Sequence, residues 1–191
     1  MNKAAVARSS RSRGDTRRLL IDAAAAEFNE SGYDGTDSNR IARRAGFAPQ
    51  TFYRWFQDKA EIFIAAYHEW QAAEAAILND LLSAAAADDV LADACVAHHR
   101  AYLKFRRSLR QLSYEIPSVR EARAESRRRQ IAFIRSLKGA AAAKDEPSIA
   151  AVLLQLERLS DALAEGEFED MGMLQDSGKA ALAALIHNLR R

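Results

Sequence analysis

The 191-residue sequence predicts an all-α fold, on three observations. Apolar residues, many of them alanine, recur at helical spacing along most of the chain, and no apolar run alternates with period two between turn signals. Only three prolines and eight glycines interrupt the pattern. Hydrophobic residues make up 49% and charged ones 28%, the balance of a chain that buries a sizeable core. A single cysteine, Cys95, leaves no internal disulfide and no multi-cysteine metal site, and it suits a reducing cytoplasm. No apolar run reaches the ~20 residues of a membrane span, and the N-terminal cations precede no apolar segment of the secretory kind. Cytoplasmic residence with no membrane partner is therefore expected.

The elements follow from local signals. Asp15 is expected to cap a first helix, in which Leu20, Ala24 and Phe28 share a face. Gly32 suits the left-handed position that ends it, and Tyr33 can fold back as an apolar anchor. Thr36 is expected to cap a second helix, with Ile41, Ala42 and Ala45 inward and Gly46 closing it. Phe47 plugs the turn, and Pro49 opens a third helix. Asp58 caps a fourth, with Glu61 placed as the other half of a capping box. The apolar face of that fourth helix runs through Phe63, Tyr67, Trp70, Ile77 and Leu81 to about residue 82.

Asp88 or Asp89 caps the next helix, which continues through Val96 and Leu103. Pro117 breaks the following connection. A basic helix at 118–138 carries Arg127, Arg128 and Arg129, either as an exposed face or balanced by Glu121 and Glu125 of the same helix. The stretch KGAAAAKDEP reads as a loop. Helices at 148–165 and 176–190 complete a total of about nine. No internal repeat is present.

The run Ala48 to Lys59, APQTFYRWFQDK, places four aromatic rings in five positions. On a helical wheel Phe52 and Phe56 share one face with Pro49, and Tyr53 lies at its edge. Gln50, Thr51, Arg54 and Trp55 share the other. The phenylalanines are expected in the core, while the second face offers groups suited to base edges and phosphates. Lys59 stands in the first turn of a helix, where a cation opposes the macrodipole. With the free backbone N–H groups there it would form a phosphate-binding corner. Two short helices joined through Ala45-Gly46-Phe47-Ala48 read as a helix-turn-helix over about 37–56, the second helix entering the major groove.

These residues carry a resemblance. The run from Asp15 to Phe63 resembles the DNA-binding region of the TetR family of transcriptional regulators, through Phe28, Gly32-Tyr33, Thr36, Ile41-Ala42, Ala45-Gly46, Tyr53, Phe56 and Lys59. The resemblance implies an all-helical homodimer whose N-terminal three-helix domain binds double-stranded operator DNA, an inverted repeat. It also implies a C-terminal bundle that dimerises and binds a small-molecule effector, which releases a repressor from its operator. Position by position, it puts Ser38, Asn39, Pro49, Gln50 and Thr51 near bases, and Thr36, Tyr53, Trp55 and Lys59 near phosphates. Three positions depart from the pattern: Ala48 stands where a capping serine is usual, Asp37 where a hydroxyl is common, and Trp55 where histidine or tyrosine is usual.

The domains expected are a basic flexible arm at 1–14, the DNA-binding domain at 15–62 and the ligand and dimer domain at 63–191. The arm has Lys3, Arg8, Arg11 and Arg13 and no acid; it is either a non-specific DNA contact or a solvated tail. Tyr67, Trp70, His98, Tyr102, Phe105, Tyr114 and Phe133 either line a ligand pocket or fill the core. Adjacent His98 and His99 diverge by about 100° on a helix, so no metal is expected, and Cys95 reads as a small core residue. The acidic run Glu165 to Asp170 reads as a solvated loop. Apolar stripes with Val152, Leu153, Leu156 and Leu163, and with Leu182, Leu185, Ile186 and Leu189, are expected to meet a second copy in a four-helix interface. No nucleophile elbow, phosphate loop, paired His/Glu metal motif or dinucleotide turn is present, so no enzyme and no cofactor is expected.

Overall fold

A computed structural model describes residues 13–138 and 146–190. Ten helices and no strand form among them: α1 (Arg13–Ser31), α2 (Ser38–Arg44), α3 (Pro49–Phe52), α4 (Lys59–Ser83), α5 (Asp88–Ala101), α6 (Leu103–Glu115), α7 (Pro117–Lys138), α8 (Glu146–Glu165), α9 (Glu167–Asp170) and α10 (Gln175–Arg190). None is long and apolar enough to cross a membrane. The arm residues 1–12, with Lys3, Arg8 and Arg11, lie outside the described residues, as does most of the KGAAAAKDEP stretch.

The chain separates into two compact units, one ending at Tyr67 and the other beginning at His68. In the first unit α2 packs on α1 and α3, and Leu20, Ala24, Phe28, Ile41, Phe52 and Phe63 are fully buried. Tyr33 folds back as expected, stacked on Phe28 and edge-on to Phe63 at 5.7 and 5.4 Å between ring centres. Gly35 is needed for closeness of approach. A Cβ there would collide with the backbone oxygen of Ser31, and backbone cannot yield as a side chain can. Gly35→Ala should therefore cost about 1–3 kcal/mol, in the range of overpacking substitutions, and lower the urea midpoint of the first unit. An unchanged midpoint would show that the α1–α2 connection is looser than it stands here.

In the second unit α5, α8 and α10 pack on one another, and α6 and α7 pack on α8. Ala92, Val96, Leu163 and Leu182 form the centre, with Cys95, Leu156, Leu159, Phe168, Ala183 and Ile186 against it.

Several capping expectations fail locally. Asp15 lies inside the first turn of α1, which starts at Arg13. Asp37, not Thr36, caps α2 by accepting from the Arg40 N–H at 2.8 Å. Asp58 accepts from the Glu61 N–H, but the Glu61 carboxylate reaches Gln57 N rather than the cap residue itself. Ala87 precedes α5 without a side-chain cap, because Asp88 is drawn away to His187 and Arg190 of α10. The helix expected through Leu103 breaks at Tyr102 (φ −128°, ψ 35°) and restarts as α6. The acidic run is partly ordered: Glu167–Asp170 forms α9, Glu165 binds Arg110 and Glu167 binds Arg158. Of the three arginines, Arg128 and Arg129 pair with Glu121 and Glu125 as expected, whereas Arg127 crosses to Glu157 of α8.

Candidate nucleic-acid interface and ligand cavity

The turn between α2 and α3 is set by Gly46. Its φ of +79° lets the chain reverse, with Gly46 N bonded to Arg43 O at 3.0 Å and Phe47 N to Ala42 O at 2.9 Å. This is the paired arrangement of a Schellman motif. Pro49 then starts α3 at its first position, and Ala48 offers no side-chain cap. α3 is a single turn, shorter than the helix expected over 49–56; Arg54 N and Trp55 N bond three residues back to Thr51 O and Phe52 O. Phe52 and Phe56 are buried, which anchors this segment and turns its other face to water.

On that outer face Asn39, Arg43, Gln50 and Arg54 are exposed, and none makes a side-chain bond among the described residues. Ser38 Oγ and Tyr53 Oη share a hydrogen bond of 2.8 Å, which links the start of α2 to the end of α3. Pro49, Thr51 and Trp55 are half-buried on the same segment. Arg40 and Arg44 look inward instead. Both pair with the nearly buried Glu27 of α1, and Arg44 also with Glu30, whose carboxyl it holds below its ordinary value.

Two expected phosphate contacts are spent inside the fold. Thr36 is buried, and its hydroxyl donates to Glu27 O and Gly32 O at 3.2 and 2.9 Å. Lys59 Nζ donates to Tyr33 O at 2.9 Å and Thr36 O at 3.1 Å and sits 3.9 Å above the Tyr33 ring. The cation that looked misplaced at a helix start thus answers carbonyl groups of the α1–α2 connection. Among the described residues, Arg43 and Arg54 are the unpaired cations on the outer face. The helical wheel puts Arg54 on the face suited to base edges and phosphates, whereas Arg43 carries no such expectation from sequence.

Residues 20–66 match the model of the bacterial regulatory proteins, tetR family. This segment is a DNA-binding domain of the TetR-family type. An uncharacterised HTH-type transcriptional regulator, YdgC, from Bacillus subtilis is 39% identical over 49 residues, which are 26% of this chain and 25% of that one. The match thus spans about a quarter of that relative's length. A putative TetR-family transcriptional regulator from a Rhodococcus species superposes with a TM-score of 0.69 at 16% identity, covering 93% of this chain and all of that one. The fatty acid degradation regulator FadR from Bacillus halodurans gives 0.66 at 17%, over 92% and 96% of the two chains. A putative transcriptional regulator from Saccharomonospora viridis, in complex with choline, gives 0.67 at 16%, over 92% and 97%. Identities this low speak for the fold alone, and they extend it from the DNA-binding domain to nearly the whole chain.

In the second unit a cavity of about 780 Å³ lies among α4, α5, α7, α8 and α10. Of the seven aromatic and histidine candidates only Phe133 lines it. Trp70, His98 and Tyr102 instead pack on each other, the Trp70 and His98 rings stacked at 4.7 Å and Arg106 lying over the indole at 4.6 Å. Burial holds the His98 imidazole below its ordinary value. Phe105 and Tyr67 are also core, and Tyr114 is 81% exposed at a separate arginine-rich cleft. These six are corrections: aromatic richness marked the packed middle of the bundle rather than the cavity, whose walls are mostly aliphatic. Cys95 also lines the cavity, with burial pushing its thiol up to about 12.

The expected dimer stripes face inward as well. Leu163 and Leu182 are fully buried at the core centre, and Leu153, Leu156, Ile186 and Leu189 line the cavity. Val152 and Leu185 are half-buried. The exposed residues at helical spacing are Ala151, Leu154 and Arg158 on α8, and Ala181, Ala184 and Asn188 on α10.

Sequence reasoning missed a buried charge cluster. His99, 4% exposed, bonds Asp161 at 2.9 Å through Nδ1 and Glu74 at 3.2 Å through Nε2. Asp161 also receives Arg106 and Arg110 at 3.0 and 2.7 Å. Burial opposes both charges, but their mutual bonds outweigh it: His99 is held above its ordinary value and Asp161 far below the carboxylate range.

Proposed function

We propose that this protein is a DNA-binding transcriptional repressor, a homodimer released from an inverted-repeat operator by a small-molecule effector. The observation that carries the reading is the outer face of the helix-turn-helix. Four polar side chains, Asn39, Arg43, Gln50 and Arg54, stand exposed without partners among the described residues, beside the Ser38–Tyr53 pair, while Arg40, Arg44 and Lys59 are engaged within the fold. An open set of amides and guanidinium groups at a helix start matches base edges and phosphates. Gln50, Asn39, Ser38, Thr51 and Pro49 take the base side; Tyr53, Trp55, Arg43 and Arg54 take the backbone.

Dimerisation falls to the outward faces of α8 and α10, where Ala151, Ala181 and Ala184 permit close approach around Leu154. The effector occupies the aliphatic cavity. α4 connects the two ends of the mechanism: it begins at Lys59, and its stretch from Gln71 to Leu82 forms one cavity wall. Two recognition segments must stand about 34–36 Å apart, or a multiple of that, to enter successive major grooves. A ligand that prefers a shifted α4 spoils this spacing, and a hundredfold preference corresponds to ~2.7 kcal/mol of coupling.

Selection from random duplexes, followed by titration over salt, tests the reading. Binding should prefer an inverted repeat, and affinity should fall with salt by about 0.9 per phosphate contact on logarithmic axes. Gln50→Ala should lose about 1–3 kcal/mol per half-site and relax the choice at one base pair. Arg54→Ala should weaken all sequences alike. Salt-insensitive or absent duplex binding would make the chain a helical adaptor instead.

A further inference from the structure

The cavity has walls of two kinds. Leu78, Leu82, Leu153, Ile186 and Leu189 make most of it apolar, while Gln71, Glu74, Ser126 and Gln130 contribute polar atoms together at one end. Along α4 the wall runs from His68 to Leu82, about 20 Å at 1.5 Å per residue.

The polar residues form a chain with one sense. Glu74 Oε1 is anchored by His99, and Oε2 accepts from Gln71 Nε2 at 3.3 Å. That contact turns the Gln71 oxygen away, to accept from Ser126 Oγ at 2.5 Å and Gln130 Nε2 at 2.9 Å. The Gln130 amide is thereby oriented in turn, and its oxygen is left buried with no hydrogen-bond partner among the described residues. Reversing either amide would bring two acceptors face to face. The carboxylate of Glu74 therefore sets, through two amides, an acceptor short of a donor.

We propose that this cavity takes an elongated apolar molecule with a hydrogen-bond donor at its head, a hydroxyl or an amine, and rejects the carboxylate of the same chain. The proposal rests on the effector-binding reading above. The terminal torsion of glutamine is soft, so the Gln130 oxygen can turn onto a donor at the polar end while the tail lies toward Leu82 and Leu189. A carboxylate head at this end would lie beside the Glu74 carboxylate and the unsatisfied Gln130 oxygen, acceptors and a like charge that disfavour it. The arginines in the cavity wall are already engaged, Arg129 by Glu125 and Arg190 by Asp88.

Calorimetric titration of the full chain with 1-decanol, decylamine and decanoate tests this. The alcohol or the amine should bind at least tenfold tighter than decanoate. Gln130→Leu should bring that ratio to within about threefold, and Gln130→Met provides a second variant should the first fold poorly. The ratio is read within one protein, so a general loss of stability does not mimic the effect. Decanoate binding as tightly as the alcohol and amine, or a ratio unchanged in the variants, would overturn the donor-head proposal while leaving the cavity a ligand site. Absence of binding by all three probes to the folded chain would overturn the effector-binding reading itself.

Discussion

Asp161→Ala should destabilise the second unit by about 3–5 kcal/mol, the range seen when one partner of a buried ion pair is removed. Asp161 is 2% exposed and faces His99, Arg106 and Arg110 at once. Its loss leaves three cationic or protonatable groups in a site from which water is largely excluded. The effect should also appear in the pH dependence. The depressed carboxyl contributes stability that is present above its unfolded value near 3.8 and is lost as pH falls through the folded one. The raised imidazole contributes stability that is fully present below 6.5 and is lost as pH rises through its folded value. The parent chain should therefore be most stable between these limits, and Asp161→Ala should flatten both flanks. Melting curves from pH 3 to 9 measure both effects. A variant that melts within a degree or two of the parent at pH 6 would show that the cluster contributes little.

The fold was legible in the sequence wherever the signal is local. Helical periodicity placed α4, α7, α8 and α10 to within a residue or two, and the wheel over 49–56 buried Phe52 and Phe56 correctly. Gly32 adopts the positive φ expected of it, and Gly46, expected to close α2, also has a positive φ. The failures lie where the partner is distant. Lys59 finds its acceptors 23 and 26 residues earlier, so a helix considered alone can only register a misplaced charge. His99 meets Asp161 across 62 positions, and no spacing rule reaches that far.

Leu163 and Leu182 show a related blind spot. A stripe of leucines at helical spacing says that a face is covered, but it does not say whether the cover comes from this chain or a second copy. The cavity lies away from the aromatics that pointed to one, because its apolar walls are built mostly from aliphatic residues and alanines of five helices, each indistinguishable in sequence from core.

Lys59→Met should lower the stability of the first unit by about 2 kcal/mol and leave the salt dependence of DNA binding unchanged. Hydrogen bonds to charged groups are worth about 1.5–3 kcal/mol, and the half-buried ammonium makes two, to Tyr33 O and Thr36 O. Methionine keeps the aliphatic stem against the Tyr33 ring but leaves both carbonyls without this donor. Those carbonyls belong to the connection that sets α2 against α1, so thermal melting should register the loss directly. Each phosphate contact removed would lower the slope of log affinity against log salt by about 0.9. With the ammonium turned inward no such contact is lost, and at a temperature where the variant is folded the slope should match that of the parent. Arg43→Ala and Arg54→Ala provide the contrast, since each removes an exposed, unpaired cation and should reduce the slope with little change in melting. A reduced slope for Lys59→Met with unaltered stability would reverse the assignment. Lys59 would then leave its carbonyls on meeting DNA, and the first turn of α4 would be a phosphate site after all.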